Sequence, residues 1–220
     1  MTARIPLKKK EPEMKVLLIN GSPHANGNTA RALKEVADTL AAEGLETETF
    51  WIGLKPVRGC VACGQCRGKD LGRCAFDDDV ANRIVEKLQT ADAIVIGSPT
   101  YYGQPAGAFL AAWQRVCFSA STLIHGKPAA SVAVCRRGGS TAAFQCLNMP
   151  FEMLNSVLIG SQYWNVVFGL SEGECAQDGE GMQTMRTLGR NMAWVVKNLN
   201  RPDALPRPAD EPWQPTNFIR

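Results

Sequence analysis

Three short, continuous runs of apolar residues, each closed by a turn rich in glycine, serine or arginine, constrain the fold of this chain most strongly. They span residues 15–20, 93–96 and 129–134. Runs this short and this apolar are typical of strands buried on both faces of a parallel sheet. The segments between them carry apolar residues at helical spacing. Since strands that alternate with helices form right-handed βαβ units, we predict an α/β fold.

The predicted architecture is a doubly wound, five-stranded parallel sheet in the order 2-1-3-4-5, with helices on both faces. Polar β-formers at residues 46–51 predict an exposed edge strand. The last strand is expected near Val157 or Val166, and the last helix at about 181–199. Pro105 is predicted to begin the helix after the third strand. Met149 and Met153 are interpreted as core residues.

The chain of 220 residues is predicted to form one enlarged domain. Residues 1–14 are predicted to form a polar N-terminal arm, residues 15–200 an α/β domain with a ligand site at its strand ends, and residues 201–220 an extended, proline-rich tail. A cysteine-rich loop at 58–76 lies inside the domain. Because Trp213, Phe218 and Ile219 provide apolar anchors, we expect the tail to pack on its own domain or on a partner subunit.

Charge and cysteine usage exclude several classes of protein. The formal net charge of +3 is too small for a nucleic-acid or membrane-surface binder. No apolar run approaches the roughly 20 residues of a membrane span, and the first residues do not resemble a signal peptide. We therefore predict a cytoplasmic protein, in which the eight cysteines are not a disulfide framework.

The loop after the first strand, residues 21–29, leads into a helix N-terminus, where free N–H groups and the helix dipole favour a phosphate. It lacks the lysine of a Walker loop and the glycine spacing of the dinucleotide fingerprint. The hydroxyl groups of Ser22 and Thr29 and the amide of Asn28 add donors without fixed charge. A terminal monophosphate is the better match, and a plain strand-to-helix turn is the alternative.

Two further loops leave the carboxyl ends of predicted strands and are expected to converge on the same crevice. Tyr101 and Tyr102 offer aromatic faces to a planar ring, and Gly103 permits close approach of the backbone. In the third loop, Arg136 and its neighbours bring positive charge that would stabilise an anionic ligand. Two solvated arginines are the alternative.

Four cysteines at the spacing Cys60-x2-Cys63-x2-Cys66-x7-Cys74 are the sharpest local signal. The repeated two-residue gap matches bacterial ferredoxins, so these cysteines are candidate ligands of a [4Fe–4S] cluster. Zinc is the second candidate, because zinc sites more often place two cysteine pairs far apart. Free thiols are the third.

Gly21-Ser22-Pro23, Asn26-Gly27-Asn28-Thr29 and Ser98-Pro99-Thr100-Tyr101-Tyr102-Gly103 resemble the flavodoxin-like NADPH-dependent FMN reductase family. The cysteine loop resembles that of its iron-sulfur flavoprotein branch. The resemblance implies an FMN cofactor, NAD(P)H as co-substrate and a homodimer or homotetramer. It differs at His24, where relatives commonly have arginine. The binding residues that it implies are Ser22, His24, Asn26, Asn28, Thr29 and Ala30 for the phosphate and Pro99, Thr100, Tyr101, Tyr102 and Gly103 for the ring. With an FMN cofactor, the third loop with Arg136, Gly138 and Gly139 would stabilise the reduced, anionic flavin or grip the phosphates of NADPH.

We therefore predict an FMN-dependent oxidoreductase that passes electrons from NAD(P)H to a flavin, a quinone or a one-electron acceptor protein. The flavin supplies the chemistry, so no catalytic side chain is assigned. Two alternatives remain, a flavodoxin-like electron carrier and a redox or metal sensor built on the cysteine loop. The carrier fits less well, because flavodoxins tend to be shorter and strongly acidic.

Overall fold

The computed structural model describes residues 14–212, 214 and 216. Its strands and helices alternate along most of the chain, as the apolar runs predict. The strands are β1 (Lys15–Asn20), β2 (Glu46–Trp51), β3 (Ala93–Tyr101), β4 (Gln104–Pro105), β5 (Pro128–Cys135), β6 (Val157–Leu158) and β7 (Val166–Phe168). The α-helices are α1 (Asn28–Ala42), α2 (Gln65–Gly68), α3 (Ala81–Leu88), α4 (Gly107–Ser119), α5 (Ser140–Met153) and α6 (Gly179–Leu199).

The parallel sheet runs in the order β2-β1-β3-β5, and the position beside β5 is shared by two short strands. β6 pairs with the start of β5 through Pro128 and Ala129, and β7 pairs with its end from Ala133 to Cys135. The predicted doubly wound order is thus confirmed for the central strands, while the predicted last strand is split in two. Both suggested positions, Val157 and Val166, lie in strands.

Successive side chains of the central strands point to opposite faces of the sheet, so each face has its own core. Leu17 and Ile19 pack with α3, α4 and α5 on one face. Val16 and Leu18 pack with α1 and α6 on the other. Because both faces are covered by helices, the carboxyl ends of the strands are the edge at which loops are free to form a site.

The predicted loop after the third strand is instead a continuation of that strand. β3 extends to Tyr101 and turns back through Tyr102 and Gly103 into the antiparallel strand β4. Pro105 therefore lies in β4, and α4 begins at Gly107, so the prediction of a first-turn proline was wrong. The two turn residues both have positive φ, of 51° and 77°, as a tight hairpin turn with the strand twist requires.

Two methionines predicted to be core residues are exposed. Met149 is 54% exposed and Met153 is 84% exposed, because both lie on the outer side of α5. The methionines of α6, among them Met182, Met185 and Met192, are buried as predicted.

The described part of the tail lies against the amino-terminal end of the sheet. The Arg207 guanidinium donates to the carbonyl oxygens of Gly126 and Asn155, and Asp210 accepts from the Asn155 amide at 3.0 Å. The tail thus contacts its own domain here, whereas its predicted anchors Trp213, Phe218 and Ile219 lie outside the described residues, as do residues 1–13. Among the described helices, none combines the length and apolar character needed to cross a membrane.

Candidate functional site

Loops from the carboxyl ends of β1, β3, β5 and β7 enclose one crevice with a volume of about 430 Å³. This volume lies within the range of small-molecule and cofactor sites. The predicted residues that line it are Ser22, His24, Asn28, Thr29, Pro99, Thr100, Tyr101 and Arg136. The convergence of the three loops is thereby confirmed as a feature of the fold.

Asn20, the last residue of β1, organises the first loop. It is 1% exposed, its side-chain oxygen accepts from the Ser22 N–H at 3.0 Å, and its amide donates to the carbonyls of His24 and Ala25. The Ser22 carbonyl also accepts from the Trp51 indole at 2.8 Å. Sequence reasoning missed Asn20. The available signal was an amide residue at the end of an otherwise apolar strand, which must find partners when buried.

The first turn of α1 is left open for an anion. Its N-cap is Gly27, which has no side chain to accept from the first N–H groups, and the turn contains no acidic residue. By contrast, α6 is capped by Asp178, which accepts from the Gly181 N–H at 2.9 Å. Thr29 is only 2% exposed and lines the crevice. Free N–H groups, the positive end of the helix and a hydroxyl group therefore face the same space.

The amide of Asn28 connects this turn to the loop after β7. Its nitrogen donates to the Ser171 carbonyl at 2.9 Å, and its oxygen accepts from the Cys175 N–H at 3.2 Å. A side chain at Gly169 would stand 2.7 Å from the Cys175 nitrogen and 3.0 Å from the Asn28 amide. Asn28 thus holds the neighbouring loop in place with the same amide that the sequence assigned to a phosphate.

The opposite end of the crevice is formed by the strand extension of β3. Thr100 Oγ1 is buried and has no hydrogen-bond partner within the described part of the chain. Tyr101 is partly exposed, and burial raises the pKa of its phenol above the usual value. Buried hydroxyl groups normally have a hydrogen-bond partner. The Thr100 hydroxyl is therefore suited to bond a polar atom of a ligand.

The residues of the third loop line two different cavities. Arg136 lines the crevice, whereas Gly138 and Gly139 line a neighbouring pocket beside Tyr163 and Trp164. A Cβ atom on Gly139 would stand 2.9 Å from the Cα atom of Gly103, so this glycine packs directly against the hairpin turn. Gly139 therefore supports the wall of the crevice from outside.

Several predicted site residues do not line the crevice itself, and several lining residues were not predicted. The predicted residues outside the lining are Asn26, Ala30, Tyr102, Gly103, Gly138 and Gly139. The unpredicted lining residues are Gly27, Val134, Cys135, Gly169, Leu170 and Glu172. Half of the latter follow β7, and the predicted strand near Val166 was the signal that its carboxyl end would reach the same edge.

A second small pocket brings together the four cysteines of the loop. It is lined by Cys60, Cys63, Cys66 and Cys74 with Phe76, Arg115 and Phe118. Cys60 and Cys63 are exposed, Cys66 is buried and Cys74 is half-buried. Cys66 lies on the single turn of α2, whose N-cap Gly64 has a positive φ of 68°. The spacing of the four cysteines thus corresponds to one site in three dimensions.

One arginine stabilises this loop internally, and another attaches it to α4. The Arg58 guanidinium lies 4.6 Å from the centre of the Phe76 ring, and Arg67 lies 4.1 Å from that of Phe118. Over residues 14–212, no three cysteine, histidine or acidic side chains gather closely enough to hold a single metal ion. Four cysteine sulfurs around one pocket are the donor set that a [4Fe–4S] cluster requires.

Comparison with known proteins agrees with this geometry. The model of the NADPH-dependent FMN reductase family matches residues 14–170. An iron-sulfur flavoprotein of Methanocaldococcus jannaschii is 31% identical over 198 residues, covering 86% of this chain and 100% of that protein. An iron-sulfur flavoprotein of Methanosarcina thermophila is 28% identical over 198 residues, covering 86% and 98%.

The solved structures agree on the fold. A flavodoxin described as WrbA-like, from Agrobacterium tumefaciens, superposes with a TM-score of 0.57 at 16% identity, covering 84% of this chain and 98% of that protein. At this identity the likeness concerns the architecture alone. The flavodoxin-like arrangement of the sheet is thereby confirmed.

Proposed function

Because this chain belongs to the NADPH-dependent FMN reductase family, we propose that it delivers electrons from NAD(P)H to an external acceptor and that its cysteine loop holds a [4Fe–4S] cluster. The family establishes an FMN-dependent oxidoreductase that uses a reduced nicotinamide. The observation that supports the FMN site is the meeting of the open N-terminus of α1 with the β3 hairpin in one crevice. Bound FMN supplies the acceptor of a hydride, and a cluster supplies one-electron transfer.

The phosphate end of the crevice is assigned to the first loop and α1. The N–H groups that follow Gly27 point outward from the helix, and the Thr29 and Ser22 hydroxyls stand beside them. This set favours a dianionic monophosphate without a fixed positive charge of its own. His24 is exposed, lines the crevice and donates to the phosphate in our assignment. Asn26 and Ala30 of the same segment lie outside the lining, and their contact with the phosphate stays a prediction of the sequence.

The ring end is assigned to Pro99, Thr100 and Tyr101, and Arg136 lines the same crevice. The unpartnered Thr100 hydroxyl gives a flavin ring a hydrogen-bond partner. Arg136 brings a permanent positive charge to the crevice, which favours an anionic ring. In this assignment the protein binds and orients the flavin and offsets its negative charge. No side chain carries a proton in the hydride step.

Matched ligands test the phosphate assignment. Thr29→Val removes one buried hydroxyl while it keeps the shape of the side chain. We expect FMN to bind about tenfold to 150-fold more weakly, as for the loss of a hydrogen bond to a charged group of about 1.5–3 kcal/mol. Riboflavin, which lacks the phosphate, is expected to bind the variant and the unchanged protein equally. An equal loss of affinity for FMN and riboflavin would mean that the substitution disturbs the ring end of the crevice or the folding of the protein.

The cluster and the acceptor are tested on protein purified without oxygen. Flavin absorption together with about four irons and four sulfides per chain is the expected result for a [4Fe–4S] centre. Zinc without iron would replace the cluster by a zinc site, and flavin without metal would leave free thiols. Absence of flavin would refute the central claim and leave the metal-sensor hypothesis.

Turnover separates a reductase from a carrier. We expect steady oxidation of NADPH or NADH with added flavin, a quinone or a one-electron acceptor protein. A protein that binds FMN but oxidises neither nicotinamide would be an electron carrier. The homodimeric or homotetrameric state and the cytoplasmic location stay predictions of the sequence.

A further inference from the structure

Cys74 is the cysteine whose position the local spacing explains least. Two residues separate each of the first three cysteines from the next, whereas seven residues separate Cys66 from Cys74. These seven include charged residues, and Asp70 and Gly72 adopt positive φ angles. The loop by itself therefore does not determine where the fourth sulfur stands, and contacts with the body of the domain must do so.

A buried asparagine holds the backbone of Cys74. Asn82 on α3 is 1% exposed, its oxygen accepts from the Cys74 N–H at 2.9 Å, and its nitrogen donates to the Cys74 carbonyl at 3.0 Å. The same nitrogen lies 3.1 Å from the Phe76 carbonyl. The Asn82 amide thus satisfies both backbone hydrogen-bonding groups of Cys74, as a neighbouring β-strand would.

A buried arginine holds the sulfur. Arg115 on α4 has a side chain that is 1% exposed, and its Nε donates to Cys74 Sγ at 3.3 Å. Its other nitrogens pair with the buried Asp79 carboxylate and donate to the Phe76 carbonyl at 2.9 Å and the Arg58 carbonyl at 3.3 Å. A buried guanidinium is costly unless all its donors are satisfied, and here one of them is satisfied by the sulfur.

We propose that Arg115 is a positioning residue that fixes the Cys74 sulfur at the wall of the four-cysteine pocket and raises the reduction potential of the cluster bound there. The inference rests on the proposed function, since it takes the loop to hold a cluster. An N–H···S hydrogen bond and a nearby positive charge stabilise the reduced cluster more, because it carries one more negative charge. Asp79 orients the guanidinium and offsets its charge from the far side.

Arg115→Gln removes both the charge and the directed N–H group. We expect it to hold less iron per chain than the unchanged protein, and the remaining cluster to be about tenfold harder to reduce, which is about 59 mV for one electron. Arg58→Gln is the matched control. Arg58 is an exposed arginine of the same loop whose side chain contacts Phe76 and Asp78 but, among the described contacts, no cysteine sulfur.

Iron and sulfide per chain, flavin absorption and an EPR-monitored redox titration are measured on all variants after the same anaerobic reconstitution. Unchanged iron content and an unchanged potential in Arg115→Gln would overturn the proposal. An equal shift in Arg58→Gln would overturn it as well, because the effect would then belong to loop charge in general.

Arg115→Lys covers the case in which the glutamine variant does not fold. A lysine keeps the charge beside Asp79. Its three donors lie on a single nitrogen, however, and cannot replace three guanidinium nitrogens that bond four acceptors, namely Asp79, Cys74 and the carbonyls of Phe76 and Arg58. A lower potential or iron content with normal FMN absorption supports the proposal, and values equal to those of the unchanged protein overturn it.

The outcomes separate this inference from the proposed function. Loss of flavin in the unchanged protein refutes the FMN site and leaves the iron measurements able to decide on Arg115. Flavin without iron in the unchanged protein refutes the cluster, and with it the role of Arg115. If the unchanged protein contains flavin and iron and neither Arg115 substitution has an effect, this inference alone is refuted.

Discussion

Replacement of Gly139 by alanine tests whether the third loop supports the crevice from outside. Gly139 is the N-cap of α5, with φ of 85° and ψ of −3°. A Cβ atom there would lie 2.9 Å from Gly103 Cα and 3.4 Å from the Thr100 methyl group. Two effects therefore add, an unfavourable backbone conformation and a contact that displaces the hairpin turn.

The two effects are expected in different measurements. The left-handed conformation costs a residue with a Cβ atom about 1–2 kcal/mol whether or not a ligand is bound. For a domain of this size, this lowers the midpoint of thermal unfolding by roughly 2–8 °C. Displacement of the turn moves Thr100 away from the ring site, so we also expect FMN to bind about threefold to tenfold more weakly, equivalent to about 0.7–1.4 kcal/mol.

Gly138→Ala is the matched control, because within the described structure a Cβ atom on Gly138 meets nothing within 4 Å. Quenching of flavin fluorescence gives the FMN affinity, and calorimetry of the flavin-free protein gives the unfolding midpoint. The control is expected to match the unchanged protein in both. If Gly139→Ala also matched it, the packing of the third loop on the hairpin would have no part in forming the crevice.

Three further predictions concern stability and reactivity. Burial acts to raise the pKa of Glu35, but hydrogen bonds from Arg186 and Arg31 outweigh it and hold the pKa below its usual value of 4.5. The carboxylate therefore stabilises the fold above pH 4.5, and this contribution is lost as pH falls through the lower folded pKa. Glu35→Gln is expected to cost about 0.5–1 kcal/mol in urea unfolding at pH 7, and this cost is expected to shrink as the pH is lowered below 4.5. A cost that does not change with pH would contradict this. Burial raises the pKa of Cys117 to about 12, so iodoacetamide at pH near 8 should label it only after unfolding, as mass spectrometry would show. Removal of FMN from protein held at 100 times the dissociation constant should cost about 2.7 kcal/mol, a drop of roughly 5–11 °C in the unfolding midpoint, and an unchanged midpoint would mean that FMN does not bind the folded state preferentially.

The sheet was predictable because its central strands are buried on both faces. In residues 15–20 and 129–134 nearly every position must be apolar, so the pattern is visible without knowledge of the partners. The position of Pro105 was not predictable in this way. A proline fits both a first helical turn and a short edge strand, and only the pairing of β4 with β3 decides between them.

The exposure of Met149 and Met153 has a similar cause. Helical spacing places them on α5, but the side of the helix that faces the sheet depends on how α5 packs against β5 and β7. Methionine is compatible with either environment, since it is apolar and flexible.

The sequence by itself determined the residue types of the two sites. The glycine and hydroxyl pattern of the first loop and the cysteine spacing are local, because each concerns one short segment whose chemistry does not depend on distant residues. The tertiary structure alone decided which residues support those sites. Gly139 and Arg115 act across contacts between segments far apart in the chain. Gly139 packs on the hairpin turn at Gly103, and Arg115 lies 41 residues from the sulfur that it contacts. Such contacts produce neither a hydrophobic periodicity nor a motif in the amino-acid sequence, because they depend on the packing of α4 and α5 against the sheet.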